Sequence, residues 1–243
     1  MIRYDLQDTV AHVTLDRPEK KNALTLEGLR ELREAFDRAE REARVVVLRG
    51  AGDAFCAGDD IASIATLGDE TDPETLASRL YEALFGAERC SVPVVAAVDG
   101  LAYGGGFELV AAADLAVATD DATFALPETH IGAYPPYAVA RVAETCGRKR
   151  LFELVVTGEP VDADTAREWG LVNRVVPAGD LDTAVAGYVD AVHDSPAAAL
   201  ALAKRYVHAA VTASEERDRV VEGFTTLSTE PTCLDAAREF LER

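Results

Sequence analysis

Val10-Ala11-His12-Val13-Thr14-Leu15 alternates apolar and polar positions like a strand with one buried face, and Asp16-Arg17-Pro18 stops it. Leu26, Leu29, Leu32, Ala35, Phe36 and Ala39 then recur at helical spacing, with Thr25 placed to cap the helix start. Val45-Val46-Val47-Leu48 has no polar face, the pattern of a parallel strand covered on both sides. Residues 50–61 are punctuated by glycine and predict a loop; the polar residues 68–75 predict an exposed, mobile connection. A second apolar strand, Val94-Val95-Ala96-Ala97-Val98, leads through Gly104-Gly105-Gly106 into a helix with Glu108 in its first turn. Leu115-Ala116-Val117-Ala118 and Thr123-Phe124-Ala125 are brief strands. From Pro136 onward the pattern is helical, apart from the strand-like Val172-Asn173-Arg174-Val175-Val176-Pro177.

Strands alternating with helices, then helices alone, predict an α/β core over residues 1–186 with a helical C-terminal region over 187–243. That region is too thin to bury its own apolar stripe (Tyr206, Val207, Val220, Phe224, Leu227, Phe240, Leu241), so it is expected to pack on the core or on a neighbouring subunit. A chain of 243 residues with 49% apolar content is long and apolar enough for a substantial core. No segment approaches the roughly 18 consecutive apolar residues of a membrane span. Met1-Ile2-Arg3-Tyr4-Asp5 passes quickly into strand-like alternation and does not read as a signal peptide. Cys56, Cys90, Cys146 and Cys233 lie far apart with no paired spacing, as free thiols in a reducing cytoplasm would. A cytoplasmic protein is the expectation.

The glycine turn is the first candidate for chemistry. Glycine lets the backbone approach a ligand closely, and the free amides of a helix start attract negative charge. Such a turn can hold a developing oxyanion while Glu108 handles a proton beside it. A tight strand–helix crossing, with Glu108 merely complementing the dipole, is the plainer reading of the same residues. Dinucleotide binding requires Gly-x-Gly-x-x-Gly, and Leu109 holds the third glycine's place.

Further segments extend the picture. They are Thr14-Leu15-Asp16-Arg17-Pro18-Glu19-Lys20-Lys21-Asn22-Ala23-Leu24, Ala54-Phe55-Cys56-Ala57-Gly58-Asp59-Asp60-Ile61, residues 93–108, Phe124-Ala125-Leu126-Pro127-Glu128, Trp169-Gly170-Leu171-Val172-Asn173-Arg174-Val175-Val176-Pro177 and Phe240-Leu241-Glu242-Arg243. In this order they resemble the crotonase family, the enoyl-CoA hydratase/isomerase superfamily. The resemblance implies a ClpP/crotonase-type α/β spiral of ββα units with a helical C-terminal trimerisation region, assembled as a homotrimer or a dimer of trimers. It implies an acyl-CoA small-molecule substrate, with coenzyme A part of that substrate and no separate cofactor.

By motif position, the backbone N–H groups of Asp59 and Gly105 form the implied oxyanion hole, and Glu108 and Glu128 are the implied acid and base. Lys20, Lys21 and Ala23 match the loop along the pantetheine arm and phosphates; Ala57, Asp60 and Ile61 match the adenine pocket wall. Many members follow Asp-Ile with a lysine, but here Ala62 follows, and Arg243 is placed to compensate. Tyr134 and Tyr137 would suit a flat, unsaturated acyl group; aromatic packing around a turn is the plainer reading of both. Pro136 stands where family hydratases place a glycine whose N–H holds the attacking water, and proline has no N–H. Either the water is held otherwise, by a tyrosine hydroxyl for instance, or simple hydration is not the reaction.

The implied activity is a lyase of the enoyl-CoA hydratase kind. The alternatives are an enoyl-CoA double-bond isomerase and a weakly active or non-catalytic CoA-binding paralogue. Trp169, His12, His130, His193 and His208 have no spacing for a metal or a triad.

Charge adds an expectation about environment. The 43 Asp and Glu against 24 Lys and Arg give a formal net charge of −19, scattered along the chain. A surface so acidic argues against nucleic acid as a partner. Dispersed acids with scarce lysine fit a halophilic protein, whose self-repulsion is screened at high salt. The expected outcome is a lower melting temperature in dilute buffer than in molar salt; an unchanged melting temperature and solubility would refute it.

Overall fold

The computed structural model describes residues 1–69 and 71–209, with Val221, Thr225, Asp235, Arg238, Leu241 and Glu242 beyond them. The chain runs β1 (Ile2–Gln7), β2 (Val10–Leu15), α1 (Leu26–Glu42), β3 (Val45–Gly50), β4 (Ala54–Cys56), α2 (Ile61–Ala65), α3 (Pro73–Arg89), β5 (Val94–Val98), β6 (Leu101–Tyr103), α4 (Gly105–Ala112), β7 (Leu115–Thr119), β8 (Thr123–Ala125), α5 (Ala143–Cys146), α6 (Arg148–Thr157), β9 (Val161–Asp162), α7 (Ala163–Glu168), β10 (Arg174–Val176), α8 (Leu181–His193) and α9 (Ala197–Ala209). Six strands form one sheet in the order β1-β2-β3-β5-β7-β10, and four form another in the order β4-β6-β8-β9.

The apolar runs explain the layering. Alternate residues of β3, β5 and β7 point to opposite faces. Val45, Val47, Val95, Ala97 and Val117 meet Leu181, Val185 and Val192 of α8. Val46, Leu48, Val94, Ala96, Val98, Ala116 and Ala118 join the larger core, which includes Leu29, Leu32 and Phe36 of α1 and Leu76, Leu80 and Leu84 of α3. Thr25 caps α1 as its sequence position predicts, its side chain accepting from the Gly28 N–H.

Each of β3, β5 and β7 hands over, after a short turn, to a strand of the smaller sheet: β4, β6 and β8 respectively. β4 lies parallel beside β6, and β6 beside β8. The chain therefore leaves the ends of β4 and β6 side by side, and this handover positions the site.

Several expectations change. The loop expected over 50–61 contains β4, three buried residues too short to show a period. The connection expected over 68–75 gives way to α3 at Pro73, with Asp72 accepting from the Thr75 N–H and Thr71 buried. β6 intervenes between the apolar strand and the glycine turn. β9 interrupts the helical stretch after Pro136. The boundary expected at 186/187 falls inside α8, which packs on the six-stranded sheet. Of the apolar stripe, Tyr206 and Val207 are exposed on α9 and Leu241 is exposed; Val220, Phe224, Leu227 and Phe240 lie outside the described residues, as does Cys233. No helix among the described residues is long and apolar enough to cross a membrane.

Asn22 ties the loop before α1 to β4. It is fully buried, its Nδ2 donates to the carbonyls of Ala51 and Ala54, and its Oδ1 accepts from the Arg17 N–H at 2.9 Å. Asn22→Ala would orphan these groups in the interior, so unfolding free energy by urea titration is expected to fall by about 3 kcal/mol.

Candidate active site

The site begins where β4 and β6 end together. Gly58 has a φ of +95°, and a Cβ on it would come within 3.0 Å of the Tyr103 carbonyl and 3.2 Å of the Gly105 nitrogen. Only glycine permits so close an approach. Gly106 is more tightly constrained still, since a Cβ there would sit 2.3 Å from the Cys56 carbonyl.

Leu24 sets the direction of the next amide. Its N–H donates to the Gly58 carbonyl and its own carbonyl accepts from the Asp60 N–H, both at 2.8 Å. In such a bridge the intervening Asp59 N–H turns away from Leu24, and Gly58 just before it lies against Gly104 and Gly105. Gly105 is the first residue of α4, so its N–H has no intrahelical partner. No acceptor among the described residues takes either N–H.

Three carboxyl groups gather around this turn. Glu108 is almost fully buried, and its Oε1 accepts from the Ala138 N–H at 2.8 Å; the Tyr137 N–H faces the same carboxyl. Glu128, reached through the Phe124-Ala125-Leu126-Pro127 turn, brings Oε1 to 3.4 Å from where a Cβ of Gly104 would stand. Both Glu128 oxygens are shut from solvent without a hydrogen-bond partner. Asp59 is half-buried as a residue, yet its Oδ1 is likewise buried and unpartnered, 3.1 Å from the position of a Gly105 Cβ.

Burial disfavours the charged form of each acid. Desolvation, then the charge of neighbouring Glu128, raises Glu108 well above the ordinary carboxylate range, and its backbone hydrogen bonds oppose this. Desolvation pushes Glu128 up to about 8 and Asp59 up to about 7. Tyr134 is pushed up to about 12 by burial and by the charge of Glu108. Such groups hold protons near neutrality and can exchange them, as acid–base catalysis requires.

Behind Glu108 lies a buried scaffold that sequence reading did not find. Glu88 of α3 accepts from the Tyr137 hydroxyl at 2.9 Å and from the Arg141 Nε at 3.1 Å. These bonds hold the π-helical turn Ala138–Val142, whose first amides meet Glu108. Tyr137 therefore takes the second of its two readings, aromatic packing around the turn, with its ring against Phe85 at 4.8 Å. Pro136 is buried at the start of this turn. The signal for Glu88 was a charged residue on the apolar side of a helix, legible once α3 itself is recognised.

The remaining candidates form a rim. Lys20 and Lys21 are exposed, and the Lys21 carbonyl accepts from the Ala57 N–H at 2.8 Å, so the two loops are adjacent. Ala23 and Ile61 are half-buried beside them. Asp60 is engaged structurally: it pairs with the Arg17 guanidinium at 2.6 Å and caps α2 through the Ala62 N–H. His130 is exposed. Arg243 lies outside the described residues. Among the described residues no cluster of His, Cys, Asp and Glu could hold a metal ion.

The fold is of the crotonase class. The chain belongs to the enoyl-CoA hydratase/isomerase family, whose model matches residues 5–241. A probable enoyl-CoA hydratase of Rhodobacter capsulatus is 36% identical over 210 residues, 86% of this chain and 81% of that protein. The carnitinyl-CoA dehydratase of Escherichia coli (strain K12) is 37% identical over 203 residues, 82% of this chain and 77% of that protein. The crystal structure of an enoyl-CoA hydratase from Mycobacterium avium subsp. paratuberculosis K-10 superposes with a TM-score of 0.88 at 28% identity, covering 98% of this chain and 97% of that one. The protein is accordingly an enzyme of the hydratase/isomerase family.

The buried acids also make stability depend on pH. Glu128 keeps its proton when folded up to about 8 but releases it near the ordinary 4.5 when unfolded. Its contribution is therefore fully present below about 4.5 and lost as pH rises to about 8. Glu128→Gln has no proton to lose. Its melting temperature is expected to exceed the parent's by several degrees at alkaline pH and to match it near pH 4.5; equal melting curves at both would contradict this.

Proposed function

We propose that the chain adds water across the conjugated C=C of an acyl-CoA thioester, or removes it in reverse. The observation that carries this reading is the pair of unpaired N–H groups, Asp59 and Gly105, beside two proton-holding glutamates. The thioester oxygen would accept from both amides. As a water oxygen bonds to Cβ, one carboxylate takes the water's proton and the π electrons move onto the thioester oxygen as an enolate. The other glutamate, protonated, gives its proton to Cα. Mutual repulsion favours this pairing of one charged and one neutral acid. Each pre-aimed amide would contribute about 3 kcal/mol to the enolate-like transition state. Acyl-CoA as substrate accords with the family. Lys20 and Lys21 on the exposed rim, with Ala23, are the groups proposed to meet the pantetheine arm and phosphates, with Ala57, Asp60 and Ile61 as the wall of the adenine pocket and Tyr134 and Pro136 beside the acyl group.

One observation favours a double-bond isomerase. The amides next to Pro136 are committed to Glu108, and Pro136 offers none, so an attacking water finds no main-chain donor there. Glu108→Gln and Glu128→Gln separate the readings. A hydratase should lose about 100-fold or more in kcat in both variants, followed as decay of enoyl-thioester absorbance. Substantial activity in one variant, with a shifted double bond as product, would mark the isomerase.

A further inference from the structure

We infer that the Asp59 side chain selects the substrate: it is a hydrogen-bonding wall for an acyl group that carries a hydroxyl on Cα or Cγ, distinct from the one that hydration places on Cβ. This rests on the acyl-CoA reading above and deepens it. For the proposed oxyanion grip only the main-chain N–H of residue 59 is needed, and any side chain would serve. The carboxyl present is nevertheless turned inwards over Gly105, with Oδ1 buried and without a partner among the described residues. Its charge bears on both Glu108 and Glu128, so the three acids lie close together. No basic side chain contributes to the electrostatics of Asp59, whose proton affinity is set by desolvation alone.

A buried carboxyl oxygen left unsatisfied is costly; ionised it needs a donor, protonated an acceptor. A hydroxyl is both and suits Asp59 whether protonated or ionised. A plain hydrocarbon chain seated beside the thioester would leave the carboxyl stranded. Sites built to hydrogen-bond a substrate reject the analogue lacking the polar group far more strongly than apolar pockets reject an extra methylene. A discrimination of about 10- to 100-fold in affinity is the scale expected from one such buried bond.

Binding of saturated thioesters tests this without turnover, because they have no C=C to hydrate. Butyryl-CoA, 2-hydroxybutyryl-CoA and 4-hydroxybutyryl-CoA would be titrated calorimetrically into the parent, Asp59→Asn and Asp59→Leu. The parent should bind at least one hydroxy thioester about tenfold or more tighter than butyryl-CoA. Asp59→Asn should keep that preference, and Asp59→Leu should abolish or reverse it. A hydroxy-to-plain affinity ratio near one in the parent, or the same ratio in parent and Asp59→Leu, overturns the inference. If none of the three thioesters binds the parent, the acyl-CoA reading itself fails and this inference falls with it.

Discussion

Everything in the site depends on one close approach between two chain segments. β4 and β6 run parallel as neighbours, and the backbone at Gly58 then rests against Tyr103, Gly104 and Gly105 with no room for a Cβ. The approach sets the Asp59 amide beside the first amide of α4, and it sets Glu108, three residues further along α4, over the same place. The bridge to Leu24 adds direction, since it occupies the groups on either side of Asp59 and leaves that amide facing inwards. Gly106 against Cys56 closes the other side of the turn.

The second constraint is electrostatic. Asp59, Glu108 and Glu128 share an interior where desolvation dominates the electrostatics of all three. Their charged forms are disfavoured, which costs stability at alkaline pH but leaves acids able to trade protons near neutrality. Glu108 differs from the other two in being held by main-chain amides. Those amides come from the π-helical turn after Pro135-Pro136, and Glu88 fastens that turn through Tyr137 and Arg141. The amides that follow the proline pair thus hold an acid.

The rim makes a different kind of contribution. Arg17 and Asp60 bind one another and the loops around them, so the segment bearing Lys20 and Lys21 lies against the segment bearing Ala57. Asp60 joins the two loops through its ion pair with Arg17 and caps α2.

Long periodic or continuously apolar segments were legible from residue order: β2, α1, β3, β5 and β7 all stand where their patterns place them, because burial on one face or two leaves a period in the sequence. The glycine turn and Glu108 in the helix after it were legible as well, since consecutive glycines are costly without a reason; Glu128 was singled out only by the resemblance to a family. β4, β6 and β9 were not, being too short to carry a period; they exist through pairing with distant neighbours. Nor was the side-chain direction of Asp59 or the hold of Ala138 on Glu108, because each is set by contacts between residues 30 or more positions apart, Leu24 with Asp59 and Glu108 with Ala138. The chain alone determined which residues have the chemistry to act; tertiary packing decided which way each one faces and how tightly it holds its proton.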